Sequence, residues 1–182
     1  MRWLTSISFL VLANWCWVSA EWLIINGTES GRYEFPQMVA IILDNKHFCG
    51  GTLLNGNTVL TAAHCVCLSS KRLKGKKAIV YIRQHDLREA HEDVLKFEIT
   101  RIKCHHSFYM ITDTRIKGID LAVLKLDGFI SNTLYKNIKY TVLDINSIST
   151  PGQRCEAVGW GYMSREGKKI SRYLQKASLN VL

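Results

Sequence analysis

Three features of the 182-residue sequence predict an all-β fold. Short runs rich in Val, Ile, Leu and aromatic residues recur at fairly regular spacing. An Asn55-Gly56-Asn57 turn joins two of them, as in a hairpin. No helical period of useful length interrupts the pattern. This combination belongs to an antiparallel sandwich or barrel. Hydrophobic residues make up 47% and charged residues 21%, a globular balance with enough apolar material for one ordinary domain or two small ones.

The chain opens with a leader. Met1-Arg2 is a short positive start, Trp3 to Val18 is largely apolar and uncharged, and Val18-Ser19-Ala20 offers a small-residue cleavage site, so residues 1–20 read as a signal peptide. The run is short for a membrane span and is interrupted by Thr5, Ser6, Ser8 and Asn14. The expected mature chain is soluble and extracellular, with no membrane partner once the leader is gone. Asn26-Gly27-Thr28 is an N-glycosylation sequon at Asn26.

The strand-like runs follow in order. Gln37–Leu43 is almost continuously apolar. Cys49–Leu54 and Thr58–Ala63 flank the Asn-Gly-Asn turn. Ala78–Gln84 and Val94–Cys104 alternate, the second more cleanly, and Leu121–Leu126 is again nearly continuous. Residues 127–138 read as a connector. The β pattern resumes at Lys139–Leu143, Gln153–Trp160 and Tyr173–Leu182, with an exposed polar loop at Tyr162–Arg172.

Net charge is +9, or +8 once Arg2 leaves with the leader. The densest basic patch is Lys71, Arg72, Lys74, Lys76 and Lys77. It suits an anionic, heparin-like polysaccharide or a membrane surface, and a solvated loop is the plainer reading. No aromatic residues interleave with it, which argues against nucleic acid. Six cysteines in a short chain with a leader indicate an oxidising compartment.

The stretch most charged with chemistry is Thr61-Ala62-Ala63-His64-Cys65. A histidine after a strand can take and return a proton near neutral pH. Upstream stands Phe48-Cys49-Gly50-Gly51-Thr52-Leu53, and downstream Gly118-Ile119-Asp120-Leu121-Ala122-Val123-Leu124-Lys125-Leu126. Together these motifs resemble the trypsin/chymotrypsin-like serine endopeptidases. The likeness runs from Ile24 to Leu182 and includes Cys155-Glu156-Ala157-Val158-Gly159-Trp160-Gly161.

The resemblance implies an antiparallel Greek-key double β-barrel. The first barrel, about 36–126, would be complete. Only about half of the second, about 139–182, would be present. It implies His64 as general base and Asp120 as the carboxylate orienting it, with Asp113 a weaker candidate. It implies that residues 21–23 are a short propeptide-like segment and Ile24 an activation N-terminus, although Leu23 departs from the Lys or Arg that a trypsin-like activator prefers. Cys49 and Cys65 match the bridge clamping the histidine loop, and Cys155 matches a cysteine whose partner lies later in the second barrel. Counting then leaves Cys67 and Cys104 as an extra pair.

The family's nucleophile is expected in a Gly-Asp-Ser-Gly-Gly stretch roughly 93 residues beyond the aspartate, near residue ~213. Ser164, Ser171 and Ser178 do not lie in such a motif. The reading is therefore a secreted serine endopeptidase whose 182-residue chain is inactive alone, with protein or peptide substrates, protease inhibitors as partners and no cofactor. The alternative is a non-catalytic homologue acting as an extracellular binding or regulatory protein. Half a barrel would also leave Val158, Trp160, Leu174, Leu179 and Leu182 short of packing. His105-His106, with His47, His85 or His91, lack supporting ligand spacing for a metal, and adjacent residues in a strand point to opposite faces.

Overall fold

The computed structural model describes residue 24 and residues 27–67, 77–89, 91–112, 115–131, 133, 135–143, 150–164 and 169–181. Its strands are β1 (Thr28–Glu29), β2 (Met38–Leu43), β3 (Lys46–Asn55), β4 (Thr58–Thr61), β5 (Ala78–Ile82), β6 (Leu95–Cys104), β7 (Tyr109–Thr112), β8 (Arg115–Lys117), β9 (Ala122–Leu126), β10 (Arg154–Gly159) and β11 (Gln175–Asn180). Among the described residues a single four-residue helix, α1 (Ala63–Val66), follows β4. The leader, Asn26, Asp113 and the basic residues Lys71, Arg72, Lys74 and Lys76 lie outside the described residues.

Six strands close an antiparallel barrel in the order β2-β3-β4-β9-β6-β5. Alternation explains the closure: residues two apart share a face, so Val39 and Ile41, Leu53, Val59, Val80 and Ile82, and Leu124 and Leu126 all point inward and are buried. The connector after β9 contributes Ile130 and Ile138 to this core.

β2 is apolar on both sides for a reason. Its other face offers Ala40 and Ile42, which pack against Trp160 and Leu174. Trp160 is 1% and Leu174 4% exposed. The expectation that these two would lack packing is thus wrong: the outside of the barrel covers them. Leu179, at the far end of β11, is 54% exposed.

The second sheet has three strands, ordered β1-β11-β10. One of them differs from expectation. Lys139–Leu143 forms no strand; it is held beside β3, where the Thr141 amide donates to the Leu53 carbonyl and the Thr52 and Thr141 hydroxyls lie 2.7 Å apart. The third strand comes instead from Thr28–Glu29, paired with Gln175 and Lys176. The hairpin of β7 and β8, absent from the sequence reading, is a separate two-stranded sheet that falls between β6 and β9 in chain order. The run ending at Ala63 also stops being strand at Thr61, and α1 begins at Ala63.

Barrel and sheet are joined by hydrogen bonds from the β5–β6 connection. His85 O accepts from the Trp160 indole and the Leu174 amide, and the Leu87 amide donates to Arg172 O. Asp86, only 4% exposed in its side chain, accepts from Nε and Nη2 of Arg172 and from the Arg88 amide. The Arg172 hydrogen bonds hold the Asp86 carboxyl at about 2, below the usual 3.8. Burial likewise pushes His47, which packs on Trp160, down to about 4 from 6.5.

One glycine is demanded by the path into β9. Gly118 has φ +84°, and a Cβ there would sit 1.7 Å from the Ser107 carbonyl oxygen.

Two predictions follow from these contacts. Gly118→Ala must move backbone against backbone, and should cost about 2–4 kcal/mol in urea unfolding. Stability should also fall with acid in two steps. Between pH 6.5 and 4 the unfolded chain binds a proton at His47 that the fold excludes. Below about pH 4 protonation of Asp86 removes its ion pair. Asp86→Asn should cost about 2 kcal/mol near neutral pH, moderated by the partial exposure of Arg172, and should shrink the lower step, to which Asp93 and Glu34, also held below the usual carboxylate range, contribute the rest. Urea midpoints measured from pH 7 to 2.5 check both; an undiminished lower step in Asp86→Asn contradicts the assignment.

Candidate active site

The site is built where two strand ends meet. β4 delivers the chain to Ala62, whose extended φ of -75° and ψ of 140° turn it into α1. Ala63 is fully buried, and a larger side chain would displace the barrel core beneath the turn. His64 follows on the half-exposed side of that turn.

Asp120 arrives from the other direction, two residues before β9. The Leu121 amide donates to Ile119 O, and the His105 amide donates to Leu121 O, fixing the bend that carries the carboxylate. β9 lies beside β4 in register, Thr61 opposite Ala122, so residues just beyond these two ends are brought together.

The geometry between the two side chains is direct. His64 Nδ1 lies 2.6 Å from Asp120 Oδ2, and the His64 backbone amide donates to Asp120 Oδ1 at 2.8 Å. Both carboxylate oxygens are therefore engaged by one residue, which fixes ring and carboxylate relative to each other. The arrangement favours the tautomer with the proton on Nδ1, leaving Nε2 as the acceptor nitrogen. Side-chain exposures of 23% and 31% keep the pair accessible at the surface.

Two disulfides frame this turn. Cys49 in β3 joins Cys65, with an S–S distance of 2.08 Å and a sequence separation of 16. Cys67 joins Cys104 at the end of β6. The residue after His64 and the residue just beyond α1 are thereby tied to two different barrel strands. Cys155 is exposed and carries no disulfide.

The remaining candidates sit elsewhere. Ile24 is buried, and its amide donates to Tyr162 O at 2.9 Å. The Ser171 hydroxyl donates to Tyr173 O, and that of Ser178 accepts from Arg154. Ser164 lies in the exposed stretch after β10. Lys77 pairs with Glu98 on the outside of the barrel.

Among the described residues, the one His/Cys/carboxylate group compact enough for an ion is Cys49, His64 and Cys65, and its sulfurs are already bonded to each other. The His105 and His106 rings do not diverge. They stack at 4.4 Å and 29°, because the strand ends at Cys104 and its alternation no longer applies. Gly118 is the positioning residue whose role the sequence reading missed; a glycine two places before the candidate aspartate was its only signal.

The sequence model of the family described as Trypsin matches residues 24–182. Granzyme M of Rattus norvegicus is 32% identical over 161 residues, 87% of this chain and 57% of its own length. Serine protease SSP1 of Scolopendra subspinipes is 31% identical over 171 residues, 91% of this chain and again 57% of its own. The chain thus spans a little over half the length of these relatives. Among solved structures, a mutant of human heparin binding protein (CAP37) superposes with a TM-score of 0.73 at 24% identity, covering 86% of this chain and 65% of that one. Mouse neuropsin superposes with 0.72 at 23% identity, covering 86% and 64%. The closed six-stranded barrel, the second sheet docked on it and the match over residues 24–182 lead to one conclusion: the chain belongs to the trypsin family of serine proteases.

Proposed function

We propose that residues 24–182 supply the proton-relay half of a secreted serine endopeptidase, with His64 as general base and Asp120 as its orienting carboxylate. One observation carries this reading: the 2.6 Å contact between His64 Nδ1 and Asp120 Oδ2, reinforced by the backbone amide of the same histidine. Such a pair has a defined chemical use. Nε2 removes the proton from a serine hydroxyl as it attacks a peptide carbonyl, the carboxylate stabilises the resulting imidazolium, and the ring returns the proton to the leaving amine.

The serine itself belongs to a Gly-Asp-Ser-Gly-Gly stretch that residues 1–182 do not contain. The polypeptide of this length is therefore inactive alone, since a base without a nucleophile has nothing to deprotonate. In the same reading, residues 1–20 direct secretion, residues 21–23 are removed, and Ile24 becomes the new N-terminus. Substrates are proteins or peptides, and protein inhibitors compete for the same cleft.

A fluorescent phosphonate probe, which labels only an activated serine, tests this. The 182-residue chain should stay unlabelled. The natural product, extended by whatever its transcript encodes after Leu182, should be labelled and hydrolyse peptide esters and amides. In that product Asp120→Asn should lower kcat about 10⁴-fold and His64→Ala by at least as much. His64-dependent hydrolysis by the 182-residue chain would overturn its inactivity. A transcript that stops after Leu182, with no Gly-Asp-Ser-Gly-Gly downstream, would overturn the endopeptidase reading itself.

A further inference from the structure

The outside of the barrel carries a row of cations that the His64–Asp120 pair does not use. β6 is long, and its residues alternate: Phe97 and Ile99 pack toward the core, while Lys96 and Glu98 face out. The register slips between Ile99 and Arg101, and the slip sets Arg101 opposite Lys125 of β9 and Lys103 opposite Val123. Lys125 is exposed between buried Leu124 and Leu126, so Arg101 and Lys103 share its outward face.

The charges in this row are largely uncompensated. Lys125 Nζ donates to the neutral oxygens of Asn57 and Thr58. Lys96 stands over the Tyr81 ring at 5.0 Å, a contact that leaves its charge intact. Arg101 and Lys103 have no carboxylate partner among the described residues. The one acid within the row, Glu98, is paired with Lys77, and Asp127 lies at its edge, accepting the Glu98 amide. The eight residues from Lys96 to Lys103 span roughly 23 Å of extended strand.

We propose that this outer face of β6 and β9, through Lys96, Arg101, Lys103 and Lys125, docks a sulfated polysaccharide. A straight row of exposed cations along a strand matches a linear polymer of regularly spaced sulfates. Two bridged cysteine pairs suit an oxidising, extracellular setting in which such polymers occur. Among the described residues, Arg101 and Lys125 pair with each other, Lys125 also lies opposite Thr58 and Lys103 opposite Val123, so no cross-strand neighbour offers an aromatic platform for base stacking. The bound polymer lies on the barrel wall and requires no catalysis, so the fate of the endopeptidase reading does not affect it.

The test is retention of the 182-residue chain on immobilised heparin, with affinity measured across a salt series. Replacing Arg101, Lys103 and Lys125 together by Ser should weaken binding at least about tenfold at 0.15 M salt and flatten the dependence of log K on log salt by roughly 2–3. The charge-conserving Arg101→Lys, Lys103→Arg protein should bind as the parent does. These side chains are exposed, so an unchanged far-UV circular dichroism spectrum verifies the fold. Hyaluronan, which carries carboxylates without sulfates, should compete poorly. Three results would each overturn the proposal: unchanged heparin affinity in the triple Ser variant, loss of binding only when Lys71, Arg72, Lys74 and Lys76 are neutralised, or displacement by duplex DNA at equal charge concentration.

Discussion

β9 is hydrogen-bonded on both edges, to β4 on one side and to β6 on the other. That double pairing closes the barrel, and the placement of His64 and Asp120 depends on it. The histidine hangs from the end of β4 and the aspartate from the start of β9, 56 residues later. A pairing so distant in sequence must repay its loop-closure cost with contacts available only when the whole barrel forms. Buried Val59 and Leu124, which face each other across β4 and β9, supply such contacts. The chemistry is thus a by-product of barrel closure: once Thr61 sits opposite Ala122, the imidazole and the carboxylate have little freedom to be elsewhere.

The disulfides act on the same point. α1 is one turn long, with no side chain capping its N-terminus, and a single turn has no intrinsic stability in water. Cys65 and Cys67 tie that turn to β3 and to the end of β6. The bridges restrict the unfolded chain and hold the turn in the folded one. Gly118 performs the matching task on the aspartate side, letting the chain pass against the Ser107 carbonyl on its way into β9.

Much of this was legible because strand signals here are strong. The alternation of Val94–Cys104, the unbroken apolar run before Leu126 and the Asn-Gly-Asn turn each correspond to a barrel element. The histidine and aspartate were legible through motif likeness, since nothing in local propensity brings residues 64 and 120 together. The failures have physical causes. Lys139–Leu143 has strand composition, yet it spends its hydrogen bonds on the flank of β3 and stays irregular. Thr28–Glu29 is too short to show alternation, and becomes a strand only because β11 offers an edge. The burial of Trp160 and Leu174 was misjudged because an incomplete second barrel was expected to leave them open, whereas the outward residues of β2, Ala40 and Ile42, cover them.

The division of β2 into two faces also separates two tasks within the described structure. The β3 cysteine and the β4–β9 register that hold the His64–Asp120 geometry belong to the barrel. The second sheet meets the barrel on the far face of β2 and at the 85–87 connection, through Trp160, Leu174 and the Arg172–Asp86 ion pair. Loosening that junction would expose apolar surface and a buried carboxylate without disturbing the hydrogen bonds between the imidazole and its partner. The printed contacts of the His64–Asp120 pair therefore lie within one packing unit. In the proposed chemistry, the second sheet would act through groups it presents to that pair rather than by aligning it.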